Sequence, residues 1–150
     1  MIKMWASKKG FTVVELLVVI VVIGILSAIS IVSYNGIQAR SRDSARDSDI
    51  TQLKIAIEKY HAEKSKYPGV CAVDNTACAI SSLATELKPY LTDIPHDPRY
   101  VVDSTDDYKY VRSSIATDGY AIKIVYETKS TCKTGQNVLT SWWGSSILVC

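Results

Sequence analysis

Between residues 16 and 39 the chain has no Asp, Glu, Lys or Arg, and Val, Ile and Leu dominate the stretch. As a helix this run would be roughly 36 Å long, enough to cross a hydrocarbon layer of about 30 Å. Its many β-branched residues slightly weaken helix propensity in water. Charged residues return at Arg40, and residues 41–66 contain neither Pro nor Gly. Ile50, Leu53, Ile57 and Tyr60 then recur at steps of three, four and three, one stripe of an amphipathic helix. Tyr67-Pro68-Gly69 supplies the stop. The pattern predicts one helical spine, apolar in its first half and amphipathic in its second, with Asn35-Gly36 as the weak point between them.

The pattern then changes. Residues 69–80 read as a loop, and 81–91 as a short helix in which Leu83, Leu87 and Leu91 repeat at four and Ser82 caps the start. A turn-rich connection follows, Thr92-Asp93-Ile94-Pro95-His96-Asp97-Pro98. Residues 108–112 alternate, and Tyr120, Ile122, Ile124 and Tyr126 alternate with Ala121, Lys123, Val125 and Glu127 after the turn signal Asp118-Gly119. Two further strands are predicted over 138–142 and 146–149. The expected class is α+β: a long N-terminal helix packed by its Ile50/Leu53/Ile57/Tyr60 stripe on a small antiparallel sheet.

A formal charge of +2 gives no electrostatic case for nucleic-acid binding. Arg40, Arg42 and Arg46 cluster, but Asp43, Asp47 and Asp49 are interleaved, which reads as a solvated helix face of both signs. Cys71, Cys78, Cys132 and Cys150 are even in number and lie outside the apolar run, as expected of a domain in an oxidising compartment. About three pairings are open. Cys71–Cys78, closing a local loop, and Cys132–Cys150, tying the C-terminus back, are favoured. Their spacings are not those of zinc ribbons.

Glu15 stands at the edge of the apolar run, where a carboxylate is costly unless it has a partner. Immediately before it lie Lys8, Lys9, Gly10 and Phe11, then Thr12 and two Val. Basic leader, Gly, Phe, an acid four residues on, and an apolar run containing Gly24 together resemble the leader and first helix of type IV prepilins and type II secretion pseudopilins. A plain signal-anchor has no use for Glu15, and a conventional secretory signal would be cut after its apolar region. The resemblance implies a pilin-like fold and cleavage by a prepilin peptidase between Gly10 and Phe11, with N-methylation of Phe11. It also implies that Glu15 meets the new amine of a neighbouring subunit as an assembly salt bridge, with an intramolecular contact to Phe11 or Thr12 as the alternative. The chain would divide into a leader (1–10), a transmembrane and assembly helix (11–39) and an extracytoplasmic domain (40–150). Family members often carry Pro where this chain has Val32. The Tyr67-Pro68 stop and Ile94-Pro95-His96-Asp97-Pro98 are similar to the outline of major pseudopilins.

The implied partners are further copies of the chain in a helical homopolymer, the peptidase, an inner-membrane assembly platform, and membrane lipid before assembly. Lysines in the leader predict a cytoplasmic N-terminus on a single-pass protein of the cytoplasmic membrane, which then joins an extracellular or periplasmic filament. Alternatives are a major pseudopilin of a secretion or competence system and an anchored binding domain that never polymerises. No nucleophile motif, phosphate loop or acid–base pair occurs, so no enzyme and no cofactor is expected. Asp103, Asp106 and Asp107 offer a calcium site, against the reading of a solvated acidic turn. Trp142-Trp143 reads as packing under the Cys132–Cys150 tie, with an adhesive patch as the alternative.

Overall fold

The structure, a computed structural model, describes residues 10–69, 71, 75–101, 107–113, 118–144 and 146–150, with the side chains of Val32 and Ser33 left out. One helix, α1, runs over Val13–Lys64 without a break at Gly24 or Asn35-Gly36. The chain divides into two compact units, Met1–Gln38 and Ala39–Cys150.

In the first unit the apolar side chains of α1 have no protein cover: Leu16, Ile20, Ile23, Ile29 and Ile37 are all more than half exposed. The segment is long and apolar enough to cross a membrane. Ser30 donates its hydroxyl to the Leu26 carbonyl of its own helix at 2.9 Å, which satisfies it without a neighbour.

The second unit contains the rest of α1, β1 (Cys78–Ala79), a 3-10 turn (Ile80–Leu83), α2 (Ala84–Leu87), β2 (Lys109–Ser113), β3 (Gly119–Ile124), β4 (Cys132–Gln136) and β5 (Leu148–Val149). The stripe expected on α1 is buried throughout, with Leu53 and Ile57 at 0% exposure. It joins Ile80, Leu83, Leu87, Tyr110, Tyr120, Ile122 and Ile124 in one core. Each fully buried aliphatic side chain there contributes about 1.5–3 kcal/mol. The helix stops at Lys64 because Ser65 turns left-handed (φ 55°) and its N–H bonds the His61 carbonyl at 2.8 Å.

The five strands lie side by side in chain order. Tyr110 faces Ile122, and Ile122 faces Thr134. The sheet is antiparallel from β1 to β4, but β5 joins β4 in parallel. Three expectations change. Residues 138–142 form no strand; they fold over the outer face of the sheet and bring Trp142 (4% exposed) onto Val111 and Ala121. The strand between them and β3 is instead β4, whose Cys-Lys-Thr-Gly-Gln sequence carries little apolar alternation. The short helix is broken into the 3-10 turn and α2, and no side chain caps either start.

The mixed-charge stretch after the apolar run is also corrected. Arg46 and Asp43 are each only 2% exposed. The Asp43 and Arg46 side of α1 is not solvated, because the loops after α2 and β3 fold onto it and bring carboxylates to the guanidinium, whereas Arg40 and Asp47 remain exposed as expected.

Candidate functional site at the start of the long helix

Gly10 and Phe11 are exposed, non-helical residues just before α1. Phe11 is 87% exposed, and among the described residues nothing lies within 4 Å of the position a Cβ on Gly10 would take. The Gly10–Phe11 peptide bond therefore lies in an accessible stretch of chain.

Thr12 is the residue at which the helix begins. Its hydroxyl accepts the Glu15 N–H at 3.2 Å, and its carbonyl accepts the Leu16 N–H at 3.2 Å. Glu15 closes the arrangement from the other side: its Oε2 accepts both the Thr12 N–H and the Thr12 hydroxyl, each at 2.8 Å. Thr-Val-Val-Glu is thus a reciprocal capping box, which satisfies backbone donors that a helix start leaves open. The acid also lies in the first turn, where the helix dipole favours negative charge. The contact of Glu15 with Thr12 is the intramolecular alternative expected for this acid; the capping box that forms it is signalled by the Thr-x-x-Glu spacing. Glu15 Oε1 accepts no hydrogen bond among the described residues.

A second polar centre fixes the loops of the Ala39–Cys150 unit on α1. Arg46 grips Asp97 with two parallel bonds, Nε to Oδ2 at 2.6 Å and Nη2 to Oδ1 at 2.9 Å. Its Nη1 also donates to Asp43 at 2.7 Å and to Glu127 at 3.0 Å. Arg42 forks onto Glu127 at 2.7 and 2.6 Å. Asp43 accepts the Glu127 N–H, the Thr128 N–H and the Thr128 hydroxyl at 2.9, 2.8 and 2.6 Å. Burial alone would raise the Asp43 carboxyl, but these donors and Arg46 outweigh it and hold it well below the ordinary range. The Arg42 bond is the largest influence on Glu127; burial opposes it, and Arg46 adds to it, so the carboxyl is lowered from 4.5 to about 2.

The four cysteines form two disulfides, Cys71–Cys78 and Cys132–Cys150, with Cα atoms 5.5 and 5.3 Å apart. Asp103 and Asp106 lie outside the described residues. Asp107 is already engaged: it accepts the Asp97 and Tyr108 N–H groups at 3.1 and 2.8 Å and contacts His96 Nδ1 at 2.7 Å. Among the described residues no group of three or more His, Cys, Asp or Glu is placed to hold a metal. His61 stacks on Tyr67 at 4.2 Å and meets Asp118 at 2.8 Å, while His96 stacks on Tyr100 at 4.3 Å.

Residues 5–31 match the family model described as the prokaryotic N-terminal methylation motif. Over 139 residues the chain is 30% identical to the fimbrial protein EcpC of Eikenella corrodens, an alignment covering 93% of this chain and 83% of that protein. It is 39% identical over 59 residues to the type IV major pilin protein PilA of Myxococcus xanthus, covering 39% of this chain and 27% of the relative. It is 32% identical over 94 residues to the type II secretion system core protein G of Klebsiella michiganensis, covering 63% and 58%. No solved structure matches significantly.

Proposed function

This chain belongs to the family of type IV pilins and pseudopilins, structural subunits of pilus-like filaments, and on that premise we propose that it is cut between Gly10 and Phe11, methylated at Phe11 and registered in its fibre by Glu15. Hydrolysis of the Gly10–Phe11 bond frees an α-amino group one residue before the helix cap. A prepilin peptidase would make that cut, and an assembly platform in the inner membrane would take up the product. The exposed, non-helical bond supports the first step.

The observation that carries the registry role is the division of labour between the two Glu15 oxygens. Oε2 serves Thr12 of the same chain. Oε1 remains to accept a hydrogen bond from the charged Phe11 amine of an incoming copy. Two opposite charges in apolar surroundings are tolerable when paired and costly when one is missing, so a subunit seated out of register pays a penalty that the correct one avoids.

Two disulfides support export of the Ala39–Cys150 unit to an oxidising compartment, with the N-terminus facing the cytoplasm before processing. The alignment with a fimbrial protein over 93% of this chain favours a surface pilus over a secretion pseudopilus. The pseudopilus reading has one observation of its own, the shorter alignment with core protein G.

Mass spectrometry of the mature N-terminus tests processing: N-methyl-Phe11 is expected, and an intact leader in filament-forming cells refutes the cut. Glu15→Gln tests registry. An amide oxygen still accepts from Thr12, so the helix start survives while the charge is gone. The variant should be processed normally and yield few or no filaments. Wild-type fibre yield would remove the charge from the mechanism.

A further inference from the structure

A cavity of about 260 Å³ opens in the Ala39–Cys150 unit beside the loop after α2 and the ends of β2 and β3. Its lining includes Arg99 from the loop, Lys109 from β2 and Lys123 from β3, with Val125 and Tyr126 as apolar wall. Lys109 and Lys123 are direct cross-strand partners, and the next residue in the same row is Lys133 of β4. Like charges placed opposite each other destabilise a sheet, so three lysines in one row require acceptors.

The chain supplies them for only one. Lys133 is 1% exposed, and its ammonium donates to the carbonyls of Leu139, Thr140 and Trp142 at 3.2, 3.1 and 2.8 Å. The side chains of Lys109, Lys123 and Arg99 make no hydrogen bond or ion pair among the described residues. The acids that line the cavity are committed elsewhere. Asp97 is held by Arg46, Asp107 by His96 and two backbone N–H groups, and Glu127 by Arg42 and Arg46.

We propose that this cavity binds a phosphate-type oxyanion, with Lys109, Lys123 and Arg99 as its counter-charges. The chemistry favours phosphate over carboxylate. Two carboxylates that line this cavity beside Arg46, Glu127 and Asp97, are held by forked guanidinium pairs from Arg42 and Arg46, whereas the lysine–carboxylate pairs of this unit, Lys64–Glu63 and Lys129–Asp47, lie on exposed side chains. Here two lysines dominate, which act as point charges and suit an anion with oxygens in several directions. Three cations from three separate backbone segments fit a tetrahedral group better than a planar one. The cavity exceeds a bare phosphate, and the Tyr126 and Val125 wall leaves room for a substituent, so the ligand class is a phosphate monoester or a phosphodiester headgroup. The proposal does not depend on how Glu15 acts.

The test uses the full chain in uncharged detergent. Titration with inorganic phosphate and with glycerol phosphate, followed by calorimetry at low salt, is expected to show saturable binding with one site per chain. Lys109→Gln with Lys123→Gln should weaken it by tenfold or more, since each lost charge-assisted bond is a substantial share of the affinity. Arg99→Gln, on an exposed loop residue, gives the second reading if the double variant folds poorly, and should also weaken binding severalfold. Lys64→Gln, whose lysine pairs with Glu63 at the end of α1 and lines no part of the cavity, should leave affinity unchanged. Titration with short-chain phosphatidylglycerol against short-chain phosphatidylcholine in the same detergent, compared between the parent and Arg99→Gln, decides whether the source is a lipid headgroup or a free ester. No saturable binding of either soluble phosphate, equal affinity for acetate, or undiminished affinity in both cavity variants overturns the proposal.

Discussion

Arg46→Met removes the guanidinium at the centre of the second unit while keeping much of the side chain's apolar volume. Arg46 is 2% exposed and bonded to Asp97, Asp43 and Glu127. The loss falls unequally on the three acids. Glu127 keeps its fork from Arg42, and Asp43 keeps three donors from Glu127 and Thr128. Asp97 keeps the Arg99 N–H at 2.8 Å, but among the described residues no cation remains bonded to it, and it is 6% exposed. Breaking one side of a buried pair costs about 3–5 kcal/mol, because the remaining charge stays out of water. A domain of this size is stable by only about 5–15 kcal/mol, and each kcal/mol shifts its midpoint by roughly 4 °C. Arg46→Met should therefore lower the melting temperature by about 12–20 °C. The assay is thermal unfolding of the full chain in detergent at pH 7, followed by near-UV circular dichroism of the buried tyrosines. Adding Asp97→Asn to Arg46→Met should restore part of the loss, since the stranded charge disappears, giving a coupling of about 0.5–3 kcal/mol. A loss under about 1 kcal/mol, or strict additivity of the two substitutions, would refute the reasoning.

Gly135→Ala would place a Cβ 2.1 Å from the Tyr120 carbonyl oxygen and 2.9 Å from Ala121 Cα, so β4 must move off β3. A cost of at least about 1–3 kcal/mol is expected from the urea midpoint, and an unchanged midpoint contradicts the β3–β4 register. Cys150→Ser opens a bridge of sequence separation 18 and should cost about 3 kcal/mol in the same assay. Acid sensitivity follows from the depressed Glu127 and Asp43 carboxyls. A folded-state value below the unfolded one contributes stability present above the unfolded value, and that stability is lost as pH falls. For Glu127 the window runs from 4.5 down to about 2. Urea midpoints should be steady from pH 7 to about 5 and fall below it. Glu127→Gln should flatten that fall, and an identical acid slope in the variant would exclude this carboxyl as a source.

Much of the chain is legible from the order of its residues, because the features concerned are local. The uncharged run, the Ile50/Leu53/Ile57/Tyr60 stripe and the alternation over Tyr120–Ile124 all follow from residues that are neighbours on one helix face or one strand face. The Thr12–Glu15 box is local too, spanning a single helical turn, and its spacing alone is enough to signal it. Tertiary structure decided the rest. Nothing near Arg46 announces that Asp97, 51 residues away, and Glu127, 81 away, will bury it, so a mixed-charge stretch looks solvated until loops fold onto it. β4 is a strand because β3 offers it an open edge of backbone donors and acceptors, a driving force that side-chain periodicity does not carry. The Lys109–Lys123–Lys133 row exists only through register: residues from three strands share a line, and which of those charges finds an acceptor depends on where the 138–142 segment folds. Periodicity along the chain determines faces, whereas the partners of buried charge depend on which distant segments those faces bring together.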